Sequence, residues 1–399
     1  MTKGAVFDII NQVMIMKNIL DFIDEYGEKA FAEEPFCDVD NLIFSQLAYT
    51  DFKGIVGYDD GLKLWEVSKR FFAVYNDDDV NSLIEISQKS ANLLKKCAGK
   101  KRYKNVVVSH YINNVNDEID KQFSAVHFFL DNGIDVVAYR GTDVTVTGVK
   151  ESAMLSYMFP VPAQIEALYY FQETCMKHKE DIILCGHSKG GNLAIFAAVS
   201  CSNSLKKRIV AVYENDAPGF PKHFFERYDY QQIKDKIHLL TPQCSIIGRM
   251  LYHDAKPQIV HSSAAGLKQH KVSTWEVQGN TFALEEKYDG FSNFINDYLD
   301  NLLDYVSDEE LELFFDTLEY IALNMGIEDF YDVKEIDFKK AFSLIDTYEK
   351  VEEEQREKFK QILRKVSKEF ALEYFSDKKQ KYMEKIDAII PKKPKAQKD

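Results

Sequence analysis

The chain has 399 residues, 45 % of them hydrophobic, with 50 basic against 64 acidic residues and a net charge of −14. That length supports one large domain with an appendage, and an acidic chain without a basic domain excludes nucleic acid and anionic membrane surfaces as primary partners. The six cysteines (Cys37, Cys97, Cys175, Cys185, Cys201 and Cys244) form no CxxC pair and no Cys/His cluster of zinc-ligand spacing, so no metal is expected, and reduced thiols in a cytoplasmic protein are.

The N-terminal stretch "MTKGAVFDIINQVMIMKNILDFIDEYGEK" has one apolar patch, interrupted by Asp8, Asn11, Lys17 and Asn18. It is too polar to span a bilayer and carries no small-residue cleavage site, and no other stretch reaches the roughly 18 apolar residues that a membrane helix needs. Stable membrane insertion is therefore not expected. Residues 1–100 carry apolar residues at helical spacing and are expected to be a mainly helical region packed on the core.

Residues 101–285 alternate strand-like runs with helical segments. "NVVVSHYI", "DVVAYR", "DIILC", "RIVAVYE", "KIHLLT" and "PQIVHS" are short apolar runs of the kind buried on both faces of a parallel sheet. Helices are predicted over 162–179 and 189–201. Alternation of this kind predicts an α/β architecture with a mostly parallel central sheet flanked by helices. "SAVHFFLDNGIDVVAYR" instead predicts two strands joined by a turn at Asn132-Gly133, so the sheet is expected to start antiparallel.

Residues 286–390 are rich in Glu, Asp, Lys, Leu and Phe and predict a helical C-terminal region. Ser307 with Glu310 makes a capping box, and Phe359, Ile362, Leu363, Val366 and Phe370 form a helical stripe. So do Phe291, Phe294, Ile295, Tyr298 and Leu302, directly after the core. An appendage packed on the core is the expectation, with a protein-binding arm as the alternative. Residues 391–399, within "PKKPKAQKD", are expected to be a disordered tail.

The chemistry concentrates in "DIILCGHSKGGNLAIFAA", residues 181–198. Gly186-His187-Ser188-Lys189-Gly190 fits Gly-x-Ser-x-Gly between a predicted strand and a predicted small-residue helix. That is the nucleophile elbow of the α/β-hydrolase fold. The turn is sharp enough that side chains at Gly186 and Gly190 would collide with the neighbouring strand and helix, and the helix start points its free N–H groups at the serine. A phosphate loop would need GxxxxGK[ST], which is absent. An attacking serine needs a base and an oxyanion hole. Downstream histidines are His223, His238, His253, His261 and His270. His238 and His261 fall in or at the end of strands, and His223 suits a surface position. His270 follows the last predicted strand in a polar loop, where the base is expected.

"AYRGTD" (138–143), "VPAQIEALYYF" (161–171), "GHSKGGNLAIFAA" (186–198), "NDAPGF" (215–220), "PQCSIIGRML" (242–251) and "QHKVSTWEV" (269–277) occur in this order. Together they resemble a family of uncharacterised bacterial lipase-like proteins, a domain of unknown function related to the class 3, or fungal-type, lipases. The resemblance runs from about residue 38 to about residue 280. It implies an oxyanion hole made by the backbone N–H groups of Thr142 and Lys189, and it aligns His270 with the lipases' histidine. The lipases' acid position aligns with Ser245, which leaves Asp216, Ser245 and Asp254 as candidates to orient the imidazole. Asp216 is favoured because sites gather at the carboxyl ends of such strands. Residues 143–161 carry Met154, Leu155, Tyr157, Met158 and Phe159, read either as a lid or acyl-chain wall or as core packing.

The expected activity is hydrolysis of a small-molecule or lipid ester through a Ser188 acyl-enzyme, without metal or organic cofactor. Thioesterase, peptidase or acyltransferase chemistry on the same machinery is the nearest rival. A catalytically weak binding protein built on the hydrolase fold is the rival of a different class.

Overall fold

A computed structural model describes residues 16–142, 146–324 and 347–367. The described residues fall into two compact units, one reaching to residue 293 and the other from residue 294 to 324 with 347–367. Residues 16–100 and 101–285 thus belong to one unit. The second unit begins inside the helix Gly290–Tyr305 rather than at residue 286.

The first unit is a nine-stranded mixed sheet with helices on both faces. Its strands in chain order are β1 (Leu62–Lys63), β2 (Val107–Asn116), β3 (Lys121–Phe129), β4 (Ile134–Tyr139), β5 (Asp181–His187), β6 (Ile209–Asn215), β7 (Ile237–Pro242) and β8 (Pro257–Val260), which lie side by side in that order. β1 to β4 pair antiparallel and β4 to β8 pair parallel. Leu284–Glu285 then closes the far edge antiparallel to β8. The Asn132-Gly133 turn joins β3 to β4, with Gly133 at φ +83 as such hairpin turns require. β1 lies within a stretch whose spacing predicts helix. It is two residues long, too short to carry a periodic signal.

Burial explains the strand sequences. In β5, Ile183 and Cys185 face the helices Ile19–Tyr26 (α1) and Asp38–Leu47 (α2), together with Phe44 and Leu47. Ile182 and Leu184 face the helices Pro162–Cys175 (α3) and Lys189–Ser200 (α4). Both faces are covered, so the strand is continuously apolar instead of alternating. The predicted helix 162–179 ends at Cys175.

In the second unit the Ser307–Glu310 capping box is formed: Ser307 N–H donates to Glu310 Oε2 at 3.0 Å and Glu310 N–H to Ser307 Oγ at 3.3 Å. Phe359, Ile362 and Val366 are buried, and Phe359 stacks on Phe314. Phe370 and the 391–399 tail lie outside the described residues. In the other predicted stripe Leu302 is buried, whereas Phe291 and Phe294 are about half exposed. No helix among the described residues is long and apolar enough to cross a membrane.

Candidate active site

β5 ends in Gly186-His187 and α4 starts at Lys189, leaving Ser188 alone to make the turn. Its backbone sits at φ 56, ψ −137, a region that L-residues avoid. The surroundings enforce it. A Cβ on Gly186 would lie 2.2 Å from the carbonyl carbon of Gly190, and one on Gly190 would lie 2.2 Å from the Tyr139 oxygen. Ser188 N–H donates to Asn215 O at 2.9 Å, which fastens the elbow to the end of β6. The loop after β4 runs past the same point, since a Cβ on Gly141 would lie 3.1 Å from Ser188 Cβ.

Asp216 is the first residue beyond β6 and also has a positive φ, 49°. Its Oδ2 accepts from His270 Nδ1 at 2.6 Å. Its Oδ1 accepts from Ser245 Oγ at 2.5 Å and from Gly248 N–H at 3.2 Å. A carboxylate only accepts, so His270 carries its proton on Nδ1 and presents Nε2 as the basic nitrogen. Ser245 therefore sits beside the acid and donates to it. Asp254 lies elsewhere, hydrogen-bonded to Tyr230 and lining a small cavity with Glu214 and His253.

His187 ties the two halves together. Its ring lies 4.4 Å from that of His270, and its Nε2 donates to the His270 carbonyl at 2.9 Å. Nε2–H fixes the tautomer, so Nδ1 accepts from Tyr49 O–H at 3.0 Å. Burial, and then the neighbouring His270, holds the His187 pKa well below the ordinary imidazole range. The ring is a neutral strut between α2's following loop, the elbow and the His270 loop.

Thr142 Oγ1 donates to Ser152 Oγ at 2.5 Å, and Ser152 Oγ donates to Gly148 O at 2.9 Å. Ser152 belongs to the helix Val146–Met154. Met154 and Leu155 are buried, and Phe159 packs edge-on against Phe196, Phe220 and Phe224, while Met158 is exposed. Lys189 is buried: its Nζ donates to Glu151 Oε2, Gln122 O and Gln122 Oε1 at 2.7, 2.8 and 2.7 Å.

The remaining histidines have other surroundings. His238 in β7 stacks on Tyr213 in β6, His261 Nδ1 pairs with Glu285 at 2.7 Å, and His223 packs on Phe159. Among the described residues, one group, His127, Asp135 and Cys175, brings three ligand atoms within 4.8 Å of one another. His127 Nδ1 is already bonded to both Asp135 oxygens, at 2.9 and 3.0 Å, and burial keeps the Cys175 thiol protonated. Those residues are core partners in the structure described.

Sequence reasoning misses Tyr49, Gln122, Glu151 and Ser152. One signal was present: a lysine opening a helix with no other charge, "KGGNLAIFAAVS", needs a buried partner.

The model of the Mbeg1-like family matches residues 97–319, more than half of the chain. The chain belongs to the Mbeg1-like family. No curated protein sequence matches it significantly. Among solved structures it is similar to the Rhizomucor miehei lipase propeptide complex at 11 % identity and a TM-score of 0.36, over 64 % of this chain and 76 % of that one. It is also similar to M37 lipase at 14 % identity and a TM-score of 0.30, over 52 % of this chain and 68 % of that one.

Proposed function

We propose that this Mbeg1-like chain is a serine hydrolase of the α/β-hydrolase fold that cleaves carboxylic esters, of small molecules or of lipids, in the manner of an esterase or lipase. The observation that carries it is the Asp216–His270 pair, 2.6 Å apart, together with the positive φ of 56 at Ser188, the elbow residue between β5 and α4, whose neighbour His187 lies ring to ring with His270 at 4.4 Å. A strained serine, an imidazole whose tautomer leaves Nε2 as the base, and a carboxylate fixing that tautomer are the parts that acyl transfer requires.

Ser188 Oγ attacks the ester carbonyl while His270 Nε2 takes its proton. Asp216 holds Nδ1–H and stabilises the imidazolium that forms. The N–H groups of Thr142 and Lys189 receive the oxyanion, and collapse expels the alcohol, protonated by His270. Water then enters, His270 deprotonates it, and the acyl-enzyme is hydrolysed. A hydrogen-bonding oxyanion hole of this kind is worth about 10²–10³ in kcat per donor.

The test is covalent labelling followed by turnover. A fluorophosphonate should mark the wild type at Ser188 and leave Ser188→Ala unmarked, and a panel of esters, thioesters and amides should be cleaved with esters fastest. Equal labelling of the two proteins would show that another residue reacts and would remove the proposal's basis. A preference for thioesters would keep the machinery and change the substrate class.

A further inference from the structure

We propose that the buried ion pair Lys189–Glu151 is a positioning device that sets the spacing of the two oxyanion donors; the inference rests on the hydrolase reading above. Lys189 serves twice. Its backbone N–H is one donor, and its ammonium, one residue from Ser188, runs away from the site to Glu151. Both side chains are shielded, at 1 % and 0 % exposure. Three acceptors surround the ammonium: Glu151 Oε2, Gln122 O and Gln122 Oε1. Glu151 has three donors: Lys189 Nζ, the Gln122 N–H at 3.0 Å and the Ala163 N–H at 2.7 Å.

These bonds connect four elements at one point. Gln122 is in β3, Ala163 is in the first turn of α3, Lys189 opens α4, and Glu151 is on the helix Val146–Met154. The next residue on that helix, Ser152, accepts the Thr142 hydroxyl at 2.5 Å. A continuous chain therefore runs from one donor to the other: the Lys189 backbone, its ammonium, Glu151, Ser152 and the Thr142 side chain. Neither donor shifts without the other responding.

Fold stability alone does not call for an ion pair here. Well-packed apolar residues in place of a buried pair are often as stable or more so, whereas removal of one partner is strongly destabilising. What a pair with fixed acceptors provides is direction. Ammonium and carboxylate bonds place Glu151, and with it the helix beside Thr142, in one orientation. An oxyanion donor works only within a few tenths of an ångström of its place, because it must lie about 2.7–3.1 Å from the developing charge. The same bonds keep the helix Val146–Met154 docked, since lifting it would leave the Lys189 charge buried with only the neutral Gln122 acceptors and no counter-charge.

The experiment separates stability from catalysis in the full-length protein. Glu151→Leu and Lys189→Met alone should each lower the melting temperature sharply. The double variant, with no buried charge, should melt cooperatively and recover much of that loss, held below wild type by the Gln122 and Ala163 N–H groups that lose their acceptor. Its kcat on a soluble ester should nevertheless fall about 10²-fold, the loss of roughly one oxyanion donor, with KM within about threefold. Ser152→Ala breaks the chain without touching the buried pair and should reduce kcat about tenfold at unchanged KM and melting temperature, so it decides the matter if the double variant does not fold. Wild-type kcat in the double variant or in Ser152→Ala overturns the proposal. A wild type that neither reacts with a fluorophosphonate nor cleaves any ester overturns the hydrolase reading itself, and this inference with it. An active wild type beside an equally active double variant overturns the inference alone.

Discussion

Both oxygens of Asp216 are engaged, one by His270 and one by Ser245 and Gly248, and the two sides have different consequences. The His270 bond sets the tautomer, so Asp216→Asn, whose amide can donate back to the ring, should lower kcat by about four orders of magnitude while the fold persists. Ser245 holds the carboxylate instead of the ring. Ser245→Ala removes one charge-assisted bond of three and should cost roughly tenfold in kcat. Rates for the two variants on one ester check the order of the effects; a Ser245→Ala enzyme as slow as Asp216→Asn would make the serine the orienting group. Sequence alignment alone put Ser245 and Asp216 in competition. The structure brings them into one cluster, because the ends of β6 and β7 are neighbours, and Ser245 lies just beyond β7. A linear sequence does not show that two candidate residues 29 positions apart share a bond.

The elements that carry the site are legible where their chemistry is local. β5 shows as an apolar run and the elbow as a glycine pattern, because both are fixed by contacts within a few residues or by burial on two faces. The helices before the sheet are legible as helices, but what fastens them is not. Arg102 and Asp40 are 62 residues apart and fully shielded, with Nη2–Oδ2 at 2.5 Å and Nε–Oδ1 at 2.8 Å. Tyr103 O–H adds a bond to Asp40 at 2.7 Å, and Arg102 reaches the carbonyls of Lys29, Glu34 and Pro35. One guanidinium thus ties the segment after α1, the start of α2 and the approach to β2. Such pairing at long range leaves no periodic trace in the sequence, as with Lys189 and Glu151. Asp40→Asn leaves the guanidinium buried without its charge partner, which costs about 3–5 kcal/mol. Urea unfolding followed by circular dichroism should show a correspondingly lower midpoint, and a stability loss of under about 1 kcal/mol would mean that the carbonyls alone satisfy Arg102.

At the scale of the whole molecule, two imidazoles, the buried His187 and the half-buried His110, make stability depend on pH. Burial, with His270 next, holds the His187 pKa well below its ordinary 6.5, and burial, with His127 next, lowers that of His110 to about 4. Unfolded, both rings take up protons near pH 6.5, while the folded protein does not until the pH is much lower. The unfolded state therefore binds more protons across that window, and stability rises with pH through it. The contribution of these two groups is complete above about pH 6.5 and is lost as the pH falls towards the folded values, which for His110 is about 4. Glu214 acts in the opposite sense. Burial raises its pKa above 4.5, so its contribution is present at low pH and is lost as the pH rises through the raised value. Glu214 is the same in wild type and histidine variants, so the difference between their profiles isolates the imidazoles. The melting temperature should thus fall steadily between pH 6.5 and 5, and His187→Asn, which has no group to titrate there, should melt with a flatter pH profile than wild type. His110→Asn should flatten it further in the double variant, because the two rings sit on different strands and titrate independently. Thermal melts from pH 7.5 down to 4.5 measure this directly. Parallel profiles for wild type and the double variant would mean that these histidines are protonated in the folded protein, and the neutral His187 strut between Tyr49 and His270 would then be wrong.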